Sequence, residues 1–575
     1  NTLLNRMIEL KDVNTLRAVV VDELHMIGDG DRGYLLELFL TKLRYCASHV
    51  QIIGMSATLP NLSDFSGWLS AVTYSSSSRP VPLVEMIKVG DVIYDLRFNQ
   101  LRSLENVKPT AGDSEKFVFL CTETVCCGHG VLVFCGSRRG CEVSCGFVAT
   151  WIDEYLKQMK WTGPREGDGD GVIDVNDVGR SEDGYTFYYS NSRTQKRAEL
   201  LDRLQRVAGG GNVDDVLCKG VVKGVGYHHA GMTAEERVVI EEGFRSGVLS
   251  VLVATSTLAA GVNLPARRVI FRTPYVGSEL LDSYRYRQMA GRAGRVGLDE
   301  FGESILFLKK TEIEKAKKVT FGPLPSIRST LFNSENGMCR AILEGIVGGV
   351  VSTVHHIDRF IRCTLLASQV PYPVVYTLTK KSLGFLQANE FIRWDAETRT
   401  FTPTPLGGAT VYSALCPSDA MNVFLNLSLS RKNLVLESPL HLIYLITPVS
   451  QLIEPDWTIF FQRFLRLSAP DRRVADAIEI SERCLMKWSQ SGRQQMMNGR
   501  KDSSDRKLLL HCRFYNALLL KELISEAEKG SDSVPNFSAA LGNVSRKNGI
   551  ARGQLQALLR SEERFSRNAE TDLVC

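Results

Sequence analysis

Two adjacent carboxylates, Asp22 and Glu23, directly follow the apolar run Ala18-Val-Val-Val21. At the end of a buried strand, Asp22 can hold a magnesium ion through its waters while Glu23 orients an attacking water, which is half of what cleaving a phosphoanhydride requires. The other half is positive charge where negative charge develops, and Gln288-Met-Ala-Gly-Arg-Ala-Gly-Arg295 offers it in Arg292 and Arg295. Their spacing of three predicts one face of a helix. Gly291 and Gly294 would let backbone approach a ligand, and Gln288, one turn earlier, is placed to sense a nucleotide. Such an arginine finger contributes on the order of 10³ to 10⁵ in rate, roughly 4 to 7 kcal/mol. Thr58, Thr255 and Ser256 are short hydroxyl donors suited to phosphodiester oxygens or to linking the two sites, contacts that position a strand without reading its sequence. The blander alternatives are a solvated acidic turn and a pair of surface arginines. The spatial expectation is that residues 22–23 and 292–295 converge on one triphosphate pocket whose opening and closing steps a strand along.

The elements needed to place these groups are legible as short β-branched runs alternating with helical stretches up to about residue 310, the pattern of a mostly parallel sheet covered on both faces. The runs 18–21, 50–53, 131–134, 251–253, 269–271 and 304–307 are the clearest strands, and the chemistry-bearing residues follow the carboxyl ends of four of them, where open α/β sheets bind ligands. Arg79-Pro-Val-Pro82 reads as a connector between two such units. A Gly- and Asp-rich stretch near 163–184 interrupts the second. Around Asp168, Asp170 and Asp174 it approaches a calcium loop, but Glu166 and Asp177 stand where Asp and Glu are usual, so a solvated acidic insertion is expected. Beyond 310 helices dominate. A helical stretch at 375–389 followed by the pair 391–394 and 400–402 predicts a winged helix, and from about Pro417 the chain reads as wholly helical.

With 44% hydrophobic and 23% charged residues among 575, the composition is that of an ordinary multidomain globular protein, neither disordered nor membrane-spanning. A net charge of +5 is too mild to argue for nucleic acid by itself. The 14 cysteines are scattered. Cys121, Cys126, Cys127 and His129, with Cys135, Cys141 and Cys145 beyond, invite a zinc reading, yet paired short spacings are missing and core thiols are the expectation. The chain starts at Asn1 without a signal or transit pattern, so targeting information is expected upstream or nowhere.

Asp22-Glu-Leu-His25 resembles the DExH motif of superfamily 2 helicases, Ser56-Ala-Thr58 their motif III, and Gln288 to Arg295 their motif VI. Gly226-Tyr-His-His-Ala-Gly231, the run Ala254 to Arg268 and the run Leu434 to Pro448 are similar to the polymerase-theta-like DNA helicases, the HELQ group, and their archaeal repair relatives. The resemblance covers nearly the whole chain. It implies an α/β fold of tandem RecA-like sheets followed by a winged helix and an all-helical ratchet domain. The expected boundaries are 1–80 for the end of the first RecA-like domain, 81–310 for the second, 311–416 for the winged helix, 417–560 for the ratchet and 561–575 for an irregular tail. It implies ATP and Mg²⁺ as cofactors, with Asp22 binding the metal through water and catalytic roles for Asp22, Glu23, His25, Gln288, Arg292 and Arg295. It assigns coupling and nucleic-acid contact to Ser56, Thr58, His228, His229, Thr255, Ser256 and Asn263, and strand separation by a hairpin near Arg272–Arg287 to Tyr275. The implied activity is 3′ to 5′ translocation on single-stranded and forked DNA in replication-fork and recombination repair, with repair proteins as partners, in the nucleus and without a membrane. No Gly-x-x-x-x-Gly-Lys-Ser/Thr loop is present, so the chain is expected to be a motor cut short at its start and to turn over little ATP alone. The rivals are the helicase part of a polymerase-theta protein, an RNA helicase of the same group and a DNA-binding fragment without catalysis.

Overall fold

The computed structural model describes the chain apart from residues 1, 11, 77, 108–111, 161–184, 186–187, 209–212, 259–263, 325, 334–336, 414, 431–436, 448–451, 492–500, 530–535 and 561–575. The acidic insertion at 163–184, Asn263 and the tail at 561–575 therefore lie outside the described residues. The chain divides into two compact units, one of Asn1–Ser76, Pro325–Leu518 and Leu559–Cys575, the other of Ser77–Leu324 and Leu519–Leu558.

In the first unit, strands β1 (Ala18–Val21) and β2 (Gln51–Gly54) pair in parallel with Val21 opposite Gly54. Helices Gly30–Cys46 and Leu62–Leu69 accompany them. Phe65 and Trp68 close a small core with Val21, Leu24, Ile27 and Leu40. Val20, Ile53 and Met55 remain exposed at 60%, 41% and 46%, unusual for a parallel pair, which normally has both faces covered.

The second unit holds, among its described residues, an eight-stranded sheet. Its strands are β3 (Leu83–Val89), β4 (Val92–Asp95), β5 (Gln100–Ser103), β6 (Val131–Phe134), β7 (Val225–His228), β8 (Val251–Ala254), β9 (Arg268–Phe271) and, after the hairpin strands β10 (Tyr275–Val276) and β11 (Glu279–Leu280), β12 (Gly302–Leu308). The order is β5-β4-β3-β12-β9-β6-β8-β7, with antiparallel pairing at the β3–β4–β5 end and parallel pairing elsewhere. β6 and β8 are buried at every residue, as continuous apolar runs in a twice-covered sheet should be. The C-terminal piece is fastened to this unit: Gly553 N–H donates to Gly231 O at 3.0 Å, and Ala234 N–H to the Gln556 side-chain oxygen at 2.9 Å. Arg552 pairs with Glu236, the residue that closes the capping box with Thr233 on helix Ala234–Arg245.

Further along the first unit, helices Gly337–Val347, Val354–Arg362 and Tyr372–Ala388 lead into the antiparallel hairpin of β13 (Ile392–Asp395) and β14 (Thr400–Pro403), the winged helix. The Asp395 carboxylate closes its turn by accepting from Glu397 N–H at 2.9 Å and Thr398 Oγ1 at 2.7 Å. Lys42, on helix Gly30–Cys46, donates to Glu344 of the winged helix at 3.0 Å with both side chains buried. The helices that follow, from Pro417–Ser430 to Lys501–Glu528, enclose backbone ends with side chains of the last: Asn516 bonds Ile453 N–H and C=O at 3.0 and 2.9 Å, and Arg513 bonds Thr447 O and Leu445 O, each at 2.9 Å. Among the described residues no helix is long and apolar enough to cross a membrane.

Candidate functional site

The acidic segment grows from the carboxyl ends of β1 and β2. Leu24 N–H donates to Met55 O and Met55 N–H to Val21 O, each at 2.8 Å, continuing the pairing beyond both strands and laying Asp22–His25 beside Ser56–Thr58. Glu23 sits at φ 51°, ψ 48°, a left-handed backbone that costs a non-glycine residue about 1–2 kcal/mol. Its N–H is held by Asp22 Oδ1 at 2.8 Å. Strain of this kind persists where the surroundings over-determine the backbone, as they do at functional sites.

His25 is buried, with Nδ1 3.1 Å from Ser56 Oγ and 3.2 Å from Glu23 Oε2. Burial lowers its pKa below the ordinary value despite the opposing pull of Glu23 and Asp22. Ser56 Oγ–H donates to Thr58 O at 3.1 Å, so the hydroxyl oxygen accepts from a protonated Nδ1 of a neutral ring. A continuous path thus runs from the acidic pair through His25 to Ser56 and Thr58. A lone carboxylate pair has no such outlet, and this one joins the two segments the sequence set 31 residues apart.

The second unit carries the arginine loop. Helix Ser283–Ala290 ends at Gly291, so Arg292 and Arg295 lie in a turn and not on the expected helical face. The turn replaces the helix because Ala293 makes a bridge to Ala266, with Ala266 N–H donating to Arg292 O at 2.9 Å and Gly294 N–H to Ala266 O at 2.7 Å. Gly294 has φ +89°, and a Cβ there would lie 2.6 Å from Val81 Cγ1, so this glycine answers to its own chain rather than to a ligand. Arg79, in the expected connector, donates to Ala293 O at 2.6 Å and Gly291 O at 3.2 Å. Gln288, on the helix, and Arg292, on the turn, are half-buried, and Arg295 is gripped by Asp299 and His129. His129, Asp299 and Arg79 were not singled out in the sequence for this role; Asp299 stands four residues past Arg295, the one local signal available.

Other residues of interest stand at the carboxyl edge of the same sheet. Thr255 and Ser256 follow β8, half-buried, with Thr255 N–H donating to His228 O at 3.3 Å. His228 and His229 are both buried; Nε2 of His228 meets Glu241 at 2.8 Å. His229 stacks on Tyr227 at 4.9 Å. Its Nδ1 accepts from Gly231 N–H at 3.1 Å, which leaves Nε2 to carry the proton toward Glu142 at 3.3 Å. Burial first, then Arg138 and His228, push its pKa down to about 4, so the ring is neutral and Nε2 stands near Glu142 without a hydrogen bond to it. Ser137, after β6, caps helix Arg138–Gln158 by accepting from Gly140 N–H, and the exposed Arg138 and Arg139 stand at that N-terminus, a place suited to phosphate that the Ser-Arg-Arg run could have signalled. Tyr275 opens the β10–β11 hairpin. Its backbone O would lie 2.6 Å from a Cβ on Gly136, and Gly277 N–H donates to Gly136 O at 2.7 Å, so the hairpin is seated on the loop after β6. Cys121, Cys126, Cys135, Cys141 and Cys145 are buried in the core of this unit.

Parallel sheets bearing an acidic pair joined to Ser-Ala-Thr in one unit and an arginine loop in the other, with a winged helix and a helical region after them, define the core of a DExH-type helicase. Family models agree segment by segment: DEAD/DEAH box helicase over residues 1–65, helicase conserved C-terminal domain over 181–297, helix-turn-helix domain over 302–393 and DNA_pol_Q helicase like region helical domain over 417–569. DNA polymerase theta of Mus musculus is 38% identical over 98% of this chain, which spans 22% of that protein. Helicase POLQ-like of Homo sapiens is 33% identical over 98% of the chain, spanning 48% of its length. ATP-dependent DNA helicase Hel308 of Pyrobaculum calidifontis is 33% identical over 65% of the chain, spanning 48% of its own. The chain belongs to the superfamily 2 helicases, in the group of the POLQ-like and Hel308 helicases.

Proposed function

We propose that the chain is the motor part of an ATP-dependent DNA helicase that moves 3′ to 5′ on single-stranded DNA and acts at stalled forks and in recombination repair in the nucleus. The observation that carries this reading is the path Glu23–His25–Ser56–Thr58, which ties the hydrolytic pair to a segment able to register a strand. Asp22 would hold a magnesium ion through water, Glu23 would orient the attacking water, and Arg292 and Arg295 would stabilise the charge that develops. Magnesium, when bound, neutralises the phosphates. Gln288 senses the nucleotide, Ser56, Thr58, Thr255 and Ser256 contact or couple to the strand, and Tyr275 on its hairpin divides the duplex. His228, His229 and Asn263 complete the coupling path. Domain limits of 1–80, 81–310, 311–416 and 417–560 belong to the same reading, as do repair proteins as partners.

In the full-length gene product, DNA-stimulated ATP turnover and unwinding of duplexes with 3′ tails are expected, both lost in Glu23→Gln. Preference for 5′ tails or for RNA duplexes, or undiminished turnover in Glu23→Gln, refutes the proposal. The 38% identity to mouse DNA polymerase theta favours a second reading, the helicase part of a protein that continues into a polymerase; the extent of the transcript decides between them.

A further inference from the structure

The guanidinium of Arg295 is held from two sides. Its backbone N–H and Nε donate to Asp299 Oδ2 at 2.7 and 3.1 Å, and the Asp299 side chain is wholly enclosed at 0% exposure. Its Nη2 donates to His129 Nδ1 at 3.1 Å. That same Nδ1 lies 3.1 Å from the other Asp299 oxygen, Oδ1. One ring atom therefore faces two partners with opposite demands: it can accept from Arg295 only when bare, and it can donate to Asp299 only when protonated.

We propose that His129 is a positioning residue for ATP turnover, its bare Nδ1 holding Nη2 of the Arg295 guanidinium in its working place and its protonated form turning to Asp299 Oδ1 and releasing that Nη2. This rests on the helicase reading above and assigns a residue that the motif pattern leaves out. His129 lies before β6, 166 residues from Arg295, and its backbone N–H is anchored on Thr124 O at 3.2 Å. The charged groups facing it are Asp299 and Arg295 from the loop, Arg267 ahead of β9 and Glu303 on β12. Burial lowers its pKa most; Asp299 and Glu303 oppose this, while Arg295 and Arg267 reinforce it, so the net direction is downward and the bare, arginine-holding form prevails at neutral pH. Arg267 is itself fixed, its guanidinium over the Phe301 ring at 3.5 Å and bonded to Phe301 O. The geometry gives the loop a proton-dependent catch.

The test is DNA-stimulated ATP turnover by the full-length protein between about pH 5.5 and 8.5, for the parent, His129→Ala and His129→Asn, with Glu23→Gln as reference. His129→Ala should lower kcat about 10- to 100-fold, as small misplacement of a catalytic group does, with KM for ATP unchanged within about threefold. His129→Asn, whose amide oxygen accepts from Arg295 but does not titrate, should restore most of kcat and abolish the fall in kcat on the acid side. Because the Asn variant keeps the bond, it separates a positioning role from simple misfolding of His129→Ala. Turnover that Glu23→Gln abolishes but His129→Ala leaves intact, or an acid-side fall that survives in His129→Asn, overturns the positioning role alone. A parent protein that turns over no ATP overturns the helicase reading and this inference with it.

Discussion

Replacing Gly294 by alanine probes whether the arginine loop is fixed by its own backbone. At φ +89° a side chain is strained by roughly 1–2 kcal/mol. The added methyl would meet Val81 Cγ1 at 2.6 Å, with Val81 Cβ at 3.2 Å and Gly302 N at 3.3 Å behind it, an overpacking worth about 1–3 kcal/mol. The sum, about 2–5 kcal/mol, is a large share of ordinary domain stability. Gly291→Ala is the internal control: Gly291 has φ −58°, and its new methyl would meet the preceding turn's carbonyls, Arg287 O at 3.0 Å and Gln288 O at 3.3 Å, for a cost within about 1 kcal/mol. Urea unfolding followed by tryptophan fluorescence should show the Gly294→Ala midpoint lower by about 1 M or more, using a slope of about 2–3 kcal/mol per M. If the loop yields instead of the fold, the bonds to Ala266 break and turnover should fall about 100-fold in the full-length protein. Equal midpoints for the two alanine variants, with turnover unaffected, would refute the account of this loop.

Glu23→Gly should relieve the left-handed strain and raise stability by up to about 1 kcal/mol, seen as a higher thermal midpoint, while abolishing ATP turnover, checked by calorimetry and a phosphate-release assay. His229, with a folded pKa of about 4, is neutral in the fold and binds protons below pH 6.5 only when unfolded, so its contribution is complete above pH 6.5 and is lost as pH falls toward 4. This amounts to about 3 kcal/mol across that window, and His229→Gln should flatten the pH dependence of urea unfolding there. Lys42→Met removes a buried cation from Glu344, which keeps Arg340 at 3.1 Å; a loss of about 3 kcal/mol is expected, largely recovered by adding Glu344→Gln and read from thermal unfolding.

Each of the six β-branched runs read as a strand forms one; β6, β8 and, over 269–271, β9 are continuous apolar runs buried on both faces, whereas β1 and β2 keep exposed apolar residues, and the wing hairpin was legible from its polar turn. β3, β4, β5 and β7 were not read as strands. Lys88 interrupts β3 with a charge, and only the fold reveals that its ammonium lies over the Phe307 ring at 4.8 Å and donates to Gly90 O at 2.5 Å. β7 overlaps the motif Gly226-Tyr-His-His-Ala-Gly231, its strand character hidden by a glycine and a histidine. Within the site, the partnership of His25 with Ser56 followed from two strands ending side by side. The turn at Arg292 did not, since the helical spacing of the two arginines is overridden by pairing with Ala266, which local sequence cannot announce. The hold of His129 on Arg295 was hidden for the same reason, and its place among cysteines drew attention toward metal chemistry instead.

The bare apolar side chains on β1 and β2 bear on how the protein must be handled. Among the described residues each of these strands has one rim without a ladder partner, and Val20, Ile53 and Met55 stand in water beside those rims. Such a surface templates sticking between copies. A preparation limited to these residues should cluster at high concentration through that corner of the first unit, and Ile53→Lys should keep it dispersed without touching either arginine.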